Sequence, residues 1–485
     1  MRLSELVAKI PYRLVGNPPP DYLQRTVKKV SADAFSADEG TLFVCTRTPL
    51  RDGHDMALIA YERGCRLFLA ERSLPLGADA VVMVTEGTEA RIAALAAACY
   101  GYPARRMTVF GITGSVGKSS VALLTAALLR RAGYVVATVT TDGVDDGDGL
   151  CRYPGGMLPD GAALQRILLD LAERGVAFAI LEISAYMLSR KTHFSIPFTA
   201  VLLTGVDKTC DKAKKYGEEH YLELKASLFV GDAPFWVLPA NFVDVFGPCH
   251  GRCLTVGEGG DYYAEIRLPI LLPKGFGTLT TLVLEQGQKI EISLPVPGDM
   301  GIENALSAAA LARIAGVSEQ VIAEGLSTTA PMGRMHCIAA HKGRLIYEDN
   351  AYSAERLTQA LQLLRTRTEG KLTVVIGSVG GRSRQRRVPL GYAATAYADL
   401  AYFTADNADL EDPAEICAQM LEEADPDRYV VLPDRERCIR RAVLEMRPGD
   451  TLLLAGKGGE DFQLVGGQRE RFSTTEIVWE ILRSL

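Results

Sequence analysis

The stretch 111–120, GITGSVGKSS, decides how the rest of the chain is read. It follows the apolar run MTVF (107–110) and precedes VALLTAALLRRAGY (121–134), so glycines and a lysine stand where a strand turns into a helix. The usual phosphate-loop pattern is G-x-x-x-x-G-K-[ST]. Here Ile112 replaces the first glycine of that pattern, while Gly111, Gly114 and Gly117 lead into Lys118, Ser119 and Ser120. Gly114 and Gly117 allow the backbone to turn its N–H groups toward phosphates. The helix starting near Lys118 adds its positive end. Lys118 then contacts the outer phosphates, and Ser119 is placed to ligate Mg²⁺. The plain alternative is a glycine-rich turn with an incidental lysine. The strand before it, the helix after it and GKSS at the junction favour phosphate binding.

Working outward, YVVATVTT (134–141), AFAILEIS (177–184) and TAVLLTGV (199–206) are apolar strands without alternation, and ALQRILLDLAERG (163–175) is an amphipathic helix. Unalternated strands between helices predict a parallel sheet covered on both faces. Glu182 closes the strand AFAILEIS, where a carboxylate beside the phosphate loop supplies the oxygen that Mg²⁺ requires; the alternative is a surface acid at a strand end. Lys225, in EEHYLELKASLF, reads on its own as a solvated lysine.

Residues 1–105 alternate short strands with helices and form a small α/β domain. The region 142–160 reads as loop, and 231–298 as irregular. A second strand–helix alternation starts near 330. The expected fold is therefore α/β in three domains: 1–105, a central phosphate-loop domain 106–330 with a mostly parallel sheet, and a Rossmann-like domain 331–485. The chain has 485 residues, 48% apolar and 23% charged, with a net charge of -6. That charge argues against a protein that coats nucleic acid. No apolar run reaches the roughly 18 residues of a membrane span, and MRLSELVAKIPYRL lacks the apolar core of an export signal. A cytoplasmic protein with no membrane partner is expected. Its ten cysteines then read as reduced thiols, with CHGRC (249–253) a loop rather than a zinc site.

Several ordered motifs now resemble one family, the Mur ligases, most closely its UDP-N-acetylmuramoyl-L-alanyl-D-glutamate ligase that adds the third stem-peptide residue. GSVGKSS (114–120) matches the family's G-[ST]-x-G-K-[ST]-[ST] loop, so Gly114, Ser115, Val116, Gly117, Lys118, Ser119 and Ser120 are the expected ATP-binding residues. EISAY (182–186) matches E-V-S-S-H in part. YLELKASLF (221–229) matches a segment whose lysine is carbamylated in the family, which implies that Lys225 becomes an anionic Mg²⁺ ligand beside Ser119 and Glu182. Lys118, Glu182 and Lys225 are thus the implied catalytic set. Asn304 in GIENALSAAALA, Arg334 in GRM and Asp349 in EDNAYSAE fall where the family contacts its nucleotide. Arg382, Asp406, Asn407, Asp409, Gly456 and Glu460 fall where it holds the amino acid, the last two in GKGGEDFQ (456–463). GTLFVCTRTPLRDGHDMALIAYERGC (40–65) is similar to the segment that binds the uridine nucleotide.

The resemblance implies an ATP- and Mg²⁺-dependent ligase that joins an amino acid to a UDP-linked muropeptide through an acyl phosphate. It also has departures. Val116 replaces Asn or Ser, Tyr186 replaces a His, Tyr352 replaces another, and SAD (31–33) replaces D-S-R. GGRSRQRRVP (380–389) lacks the family's acids; its Arg382, Arg384, Arg386 and Arg387 form either an anion site or a solvated basic loop. DNAD (406–409) places Asp409 where diaminopimelate ligases carry an arginine that pairs with the distal carboxylate. An acid there favours a basic amino acid such as lysine or ornithine, unless Asp409 only caps the segment LEDPAEICAQ. Together the departures describe a divergent paralogue. It would keep the ligase chemistry with this acceptor, use another carboxylate acceptor, or bind nucleotide with weakened catalysis.

Overall fold

The computed structural model describes residues 1–484 except 17, 48–51, 142, 152–158, 208–210, 247–248, 250, 273–274, 297, 331–334 and 382–383. The chain is α/β. Met1–Asp261 with Ser307–Val317 forms one compact unit, and Tyr262–Leu306 with Ser318–Leu485 forms a second.

The first unit holds two sheets. The N-terminal one contains β1 (Arg13–Val15), β2 (Lys29–Ser31), β3 (Thr41–Val44), β4 (Leu67–Ala70) and β5 (Val81–Val84) in the order β1-β5-β4-β3-β2. Only β1 runs antiparallel. The larger sheet contains β6 (Thr108–Thr113), β7 (Val136–Val139), β8 (Val144–Asp145), β9 (Leu150–Cys151), β10 (Phe178–Glu182), β11 (Ala200–Leu203), β12 (Phe235–Pro239) and β13 (Arg252–Val256). Its order is β13-β12-β11-β6-β10-β7-β8-β9, parallel from β13 through β7. Strands β6, β10 and β11 are buried along nearly their whole length, which is why their sequences show no alternation. The region 142–160, read as loop, contains the short antiparallel strands β8 and β9. Two-residue strands rich in Gly and Asp leave no periodic signal.

Helix α1 (Thr88–Cys99) packs on α3 (Gly161–Glu173), with α2 (Lys118–Arg131) between them in sequence. A Cβ on Gly161 would lie 2.7 Å from that of Ala93, so the close approach requires glycine. Asp160 caps α3 by accepting from Ala163 N–H. Helix α4 (Glu218–Ala226) follows β11 and carries Lys225 inward.

The second unit opens with an antiparallel meander of β14 (Tyr263–Leu272), β15 (Gly275–Val283) and β16 (Lys289–Leu294). This region reads as irregular because Ile266 and Leu268 of β14 are exposed and Pro269 interrupts the pattern. Helix α5 (Asp299–Ile314) comes next. The C-terminal sheet contains β17 (His336–His341), β18 (Arg344–Asp349), β19 (Leu372–Ser378), β20 (Leu400–Ala405), β21 (Tyr429–Val431) and β22 (Thr451–Ala455), in the order β17-β18-β22-β19-β20-β21. It is parallel except for β17. A hairpin of β23 (Phe462–Val465) and β24 (Gln468–Arg471) follows.

A helix at Arg387–Tyr397 connects β19 to β20. Pro389 lies in its first turn, where the missing N–H does no harm. A Cβ at Gly391 would stand 1.7 Å from Met420 O, so tight packing requires the helix-breaking residue. Arg387 is fully buried: its guanidinium pairs with Glu411 at 2.9 Å and donates to Gln419 Oε1 and Val379 O. At this position the solvated-loop and anion-site readings both give way to a structural ion pair. Arg384 remains exposed, 3.9 Å from the same acid. Eight cysteines, Cys249 and Cys253 among them, are free thiols; His250 lies outside the described residues.

Candidate active site

The phosphate loop leaves the carboxyl end of β6, between β10 on one side and β11 on the other. That is where open parallel sheets bind ligands. Gly114 has φ +142, and a Cβ there would sit 2.0 Å from Thr204 Oγ1. Gly117, with φ +83, introduces α2. Both need glycine: the first for space, and both for their positive φ. Thr204 Oγ1 donates to Val116 O, fixing the loop onto the end of β11.

The register of the strands brings the functional side chains together. Glu182 pairs with Ile112 across β10 and β6, so its carboxylate arrives at the loop. Ser119 Oγ donates to Glu182 Oε2 at 2.7 Å, and Lys118 Nζ lies 3.7 Å from Oε1. Thr141 donates to Oε2 through N–H at 3.2 Å and Oγ1 at 3.3 Å. Lys118 Nζ also donates to Ser115 O at 3.2 Å. Lys118, Ser119 and Glu182 are each about 5% exposed, so their charges act where water screens them little.

Lys225 is 1% exposed, contrary to its reading as a solvated lysine. Its Nζ donates to Thr113 Oγ1 at 3.1 Å, and that hydroxyl donates to Ile183 O, one residue past Glu182. Tyr221 shares a hydrogen bond with Ser115 at 3.1 Å and lies under Lys225 Nζ, 5.2 Å from its ring centre. Asp207 N–H donates to Ser115 Oγ at 2.9 Å. Ser120 is buried and Val116 half-buried.

Among the described residues no group of three or more His, Cys, Asp and Glu side chains is arranged to hold a metal ion. A Mg²⁺ site does not need one. Mg²⁺ takes one or two protein oxygens and completes its octahedron with water and phosphate. Ser119 Oγ and Glu182 Oε2 are two such oxygens in contact beside a phosphate loop, and they fit that ion. Lys225 as an ammonium offers only donors and joins the set only if converted to an acid.

In the second unit, Asp406, Asn407, Gly456 and Glu460 come together. Asn407 Nδ2 donates to Glu460 Oε2 at 2.9 Å, and the Cβ absent from Gly456 (φ +101) would lie 3.2 Å from Asp406 Oδ2. The sequence reading missed their common partner. Lys457 Nζ donates to Asn407 Oδ1 at 3.0 Å and Phe462 O at 2.7 Å, and lies 3.5 Å from Asp406 and 3.7 Å from Glu460. Burial pulls its ammonium down, against the opposing charge of Asp406. A lysine set among Gly456, Gly458 and Gly459 was the available signal.

Asp409 is at φ +55. It is hydrogen-bonded at both backbone groups to the β23–β24 hairpin, and its Oδ1 accepts from Gly467 N–H at 3.0 Å. It does not cap the following helix: Asp412 does, accepting from Ala414 N–H. Asp349 Oδ2 accepts from Met335 N–H at 2.6 Å, while Asn304 is half-buried in α5. Arg334 and Arg382 lie outside the described residues.

In the N-terminal sheet, the D-G-H stretch is a built turn. A Cβ on Gly53 would strike the backbone of Thr46 at 2.8 Å. His54 Nε2 accepts from Glu71 N–H at 2.9 Å, so the proton sits on Nδ1 and is donated to Asp52. Asp33 of SAD caps a short turn by accepting from Phe35 N–H. No helix among the described residues is long and apolar enough to cross a membrane.

Two family profiles match the chain: "Mur ligase middle domain" over residues 112–312 and "Mur ligase, glutamate ligase domain" over 333–458. A UDP-N-acetylmuramoyl-L-alanyl-D-glutamate–2,6-diaminopimelate ligase of Geobacillus thermodenitrificans is 30% identical over 490 residues, covering 96% of each chain. One of Aquifex aeolicus is 28% identical, covering 95% of each. A solved structure of such a ligase superposes with a TM-score of 0.67 at 23% identity, covering 100% of this chain and 99% of that one. A MurF ligase from Thermotoga maritima in complex with ADP gives 0.59 at 18%, covering 94% and 97%. At these identities the superpositions establish a common three-domain fold.

Proposed function

The chain belongs to the Mur ligase family of ATP-dependent, amide-forming enzymes, and on that premise we propose that it joins an amino acid to the carboxylate of a UDP-N-acetylmuramoyl dipeptide in the cytoplasm during peptidoglycan synthesis. One observation carries the reading: Lys118, Ser119 and Glu182 converge at the mouth of the phosphate loop. The working domains are 1–105 for the uridine nucleotide, 106–330 for ATP and 331–485 for the amino acid.

The acceptor carboxylate oxygen attacks the γ-phosphorus of ATP, and ADP leaves. Lys118 follows the charge that builds on the transferred group, leaving its 3.7 Å contact with Glu182 for the phosphoryl oxygens. Gly114 to Ser120 cradle the phosphates through backbone N–H groups. Ser119 and Glu182 would hold Mg²⁺, which supplies charge neutralisation on the phosphates. Carbamylation of Lys225 would add a third oxygen ligand and turn a buried cation into an anion. Asn304, Arg334 and Asp349 are proposed as further nucleotide-contacting residues, on their match to the family's motifs. The amine of the amino acid then attacks the acyl phosphate carbon. The tetrahedral adduct expels phosphate, and the amine loses its proton.

Arg382, Asp406, Asn407, Asp409, Gly456 and Glu460 form the proposed amino-acid site. The diaminopimelate relatives are described by name as using that amino acid. Asp409 in this chain favours a basic one, lysine first. A second reading, a different carboxylate acceptor, draws support from Asp33, whose carboxylate caps a turn where the family pattern has D-S-R.

The test is phosphate release by the purified protein with ATP, Mg²⁺, UDP-N-acetylmuramoyl-L-alanyl-D-glutamate and a panel of amino acids. Release that needs both the dipeptide and lysine supports the proposal. Release only with another acceptor supports the second reading, and ATP binding without turnover under any pairing refutes both.

A further inference from the structure

Strands β20 and β22 lie on either side of β19, so their ends are about 9.5 Å apart, two strand spacings. Each strand feeds one loop of the proposed amino-acid site: β20 ends at Ala405, just before Asp406, and β22 ends at Ala455, just before Gly456. One side chain spans that gap. Arg435, the first residue of α6 (Arg435–Leu444), is 2% exposed and sends one terminal nitrogen to Ala405 O at 3.2 Å and the other to Ala455 O at 2.9 Å. The planar fork of a guanidinium reaches two carbonyls at once, whereas an ammonium is a point donor. Beside it Glu348 is buried; burial pushes its carboxyl up, against a hydrogen bond from the backbone of Gly459 and the charge of Arg435.

Lys457 does for the loop tips what Arg435 does for their roots. Asn407 Oδ1 accepts from both Lys457 Nζ and Leu464 N–H, which fixes the amide so that Nδ2 faces Glu460. We propose that Arg435 and Lys457 are positioning residues, a pair of buried cations that lock the 406–409 and 456–460 loops together so that the incoming amine is aligned before it attacks. Neither touches the reacting atoms. The proposal rests on the reading that these loops hold the amino acid.

The test uses the full chain with Arg435→Lys, which keeps the charge and removes the fork, and Lys457→Met. Two measurements are made: KM for the amino acid beside KM for ATP, and backbone amide exchange across 405–411 and 456–467. The expected result for each variant is an amino-acid KM raised about tenfold or more, a KM for ATP within about twofold, and faster exchange in both loops with α2 unchanged. Unchanged exchange in both loops overturns the proposal. So does a parallel rise in both KM values, which marks a general structural defect. If the unaltered protein turns over no amino acid, the functional reading falls, and the exchange data still decide whether the clamp exists. If Arg435→Lys does not fold, Lys457→Met carries the same comparison.

Discussion

Ser119 Oγ and Glu182 Oε2 stand 2.7 Å apart although 63 residues separate them in the chain. The contact is made by strand order: β10 lies beside β6, so the last residue of one meets the loop that leaves the other. Two hard oxygens in contact at a phosphate loop behave as one unit. Ser119→Ala and Glu182→Gln should each lower phosphate release by roughly 10²-fold and raise the Mg²⁺ concentration required for half-maximal rate. The double variant should lose far less than the product of the two. Strictly multiplicative losses would show that the two residues act separately.

Lys225 should carry a carbamate. Protein equilibrated with ¹³C-bicarbonate should show a carbamate carbon resonance that Lys225→Arg lacks. Exhaustive removal of dissolved CO₂ should lower phosphate release, and adding bicarbonate should restore it. An active protein indifferent to CO₂ would leave Lys225 as a buried hydrogen-bond donor to Thr113.

Asp409→Arg should move amino-acid preference from lysine toward diaminopimelate by about tenfold or more in the ratio of kcat/KM values, as the sign of the side chain reverses. Gly467 N–H loses its acceptor in that variant, so Asp409→Asn is the control that keeps an oxygen for it and removes the charge. No change in preference in either variant would assign Asp409 wholly to the hairpin turn.

His193 is buried, and burial pushes its imidazole down to about 4, with Lys191 adding to the shift. The unfolded chain takes up a proton near pH 6.5 that the folded chain refuses until about pH 4. Stability contributed by this group is therefore full above pH 6.5 and lost as pH falls toward 4, by about 3 kcal/mol at most. In His193→Gln the urea midpoint should fall less steeply over that window. Equal slopes would contradict a neutral buried imidazole.

Gly391→Ala should destabilise the protein by about 2 kcal/mol, because overpacking against Met420 O outweighs the better helix propensity of alanine. Thermal unfolding reads the change. Unaltered stability would mean that the helix shifts freely.

Much of the phosphate site is legible in the sequence because its signals are local. Gly114, Gly117, Lys118 and Ser119 lie within six residues, and Glu182 announces itself as an acid closing an apolar strand. Lys225 does not: its burial depends on how α4 returns to the end of β6, and only the resemblance drew attention to it. The helix at Arg387–Tyr397 is hidden by Pro389 and Gly391, residues that packing demands and local propensity opposes. Arg387 reads as part of an anion site or a solvated basic loop, and Lys457 draws no reading, because nothing within a few residues of either marks the partners that bury them: Glu411 and Gln419 for one, Asp406 and Asn407 for the other. Fold class survived such misreadings because strand-and-helix alternation is repeated along the chain, whereas each buried charge occurs once.

The left-handed backbone at Asp409 also bears on how this site can change over evolutionary time. Asp, Asn and Gly occupy that conformation readily, while other side chains strain in it by roughly 1 kcal/mol or more. A lineage can therefore drift among those three at position 409 with little penalty. Passage to an arginine there strains the backbone and leaves Gly467 N–H of the hairpin turn without its side-chain acceptor. On the proposed role of Asp409, the choice of amino acid is thereby coupled to the shape of a turn distant in sequence.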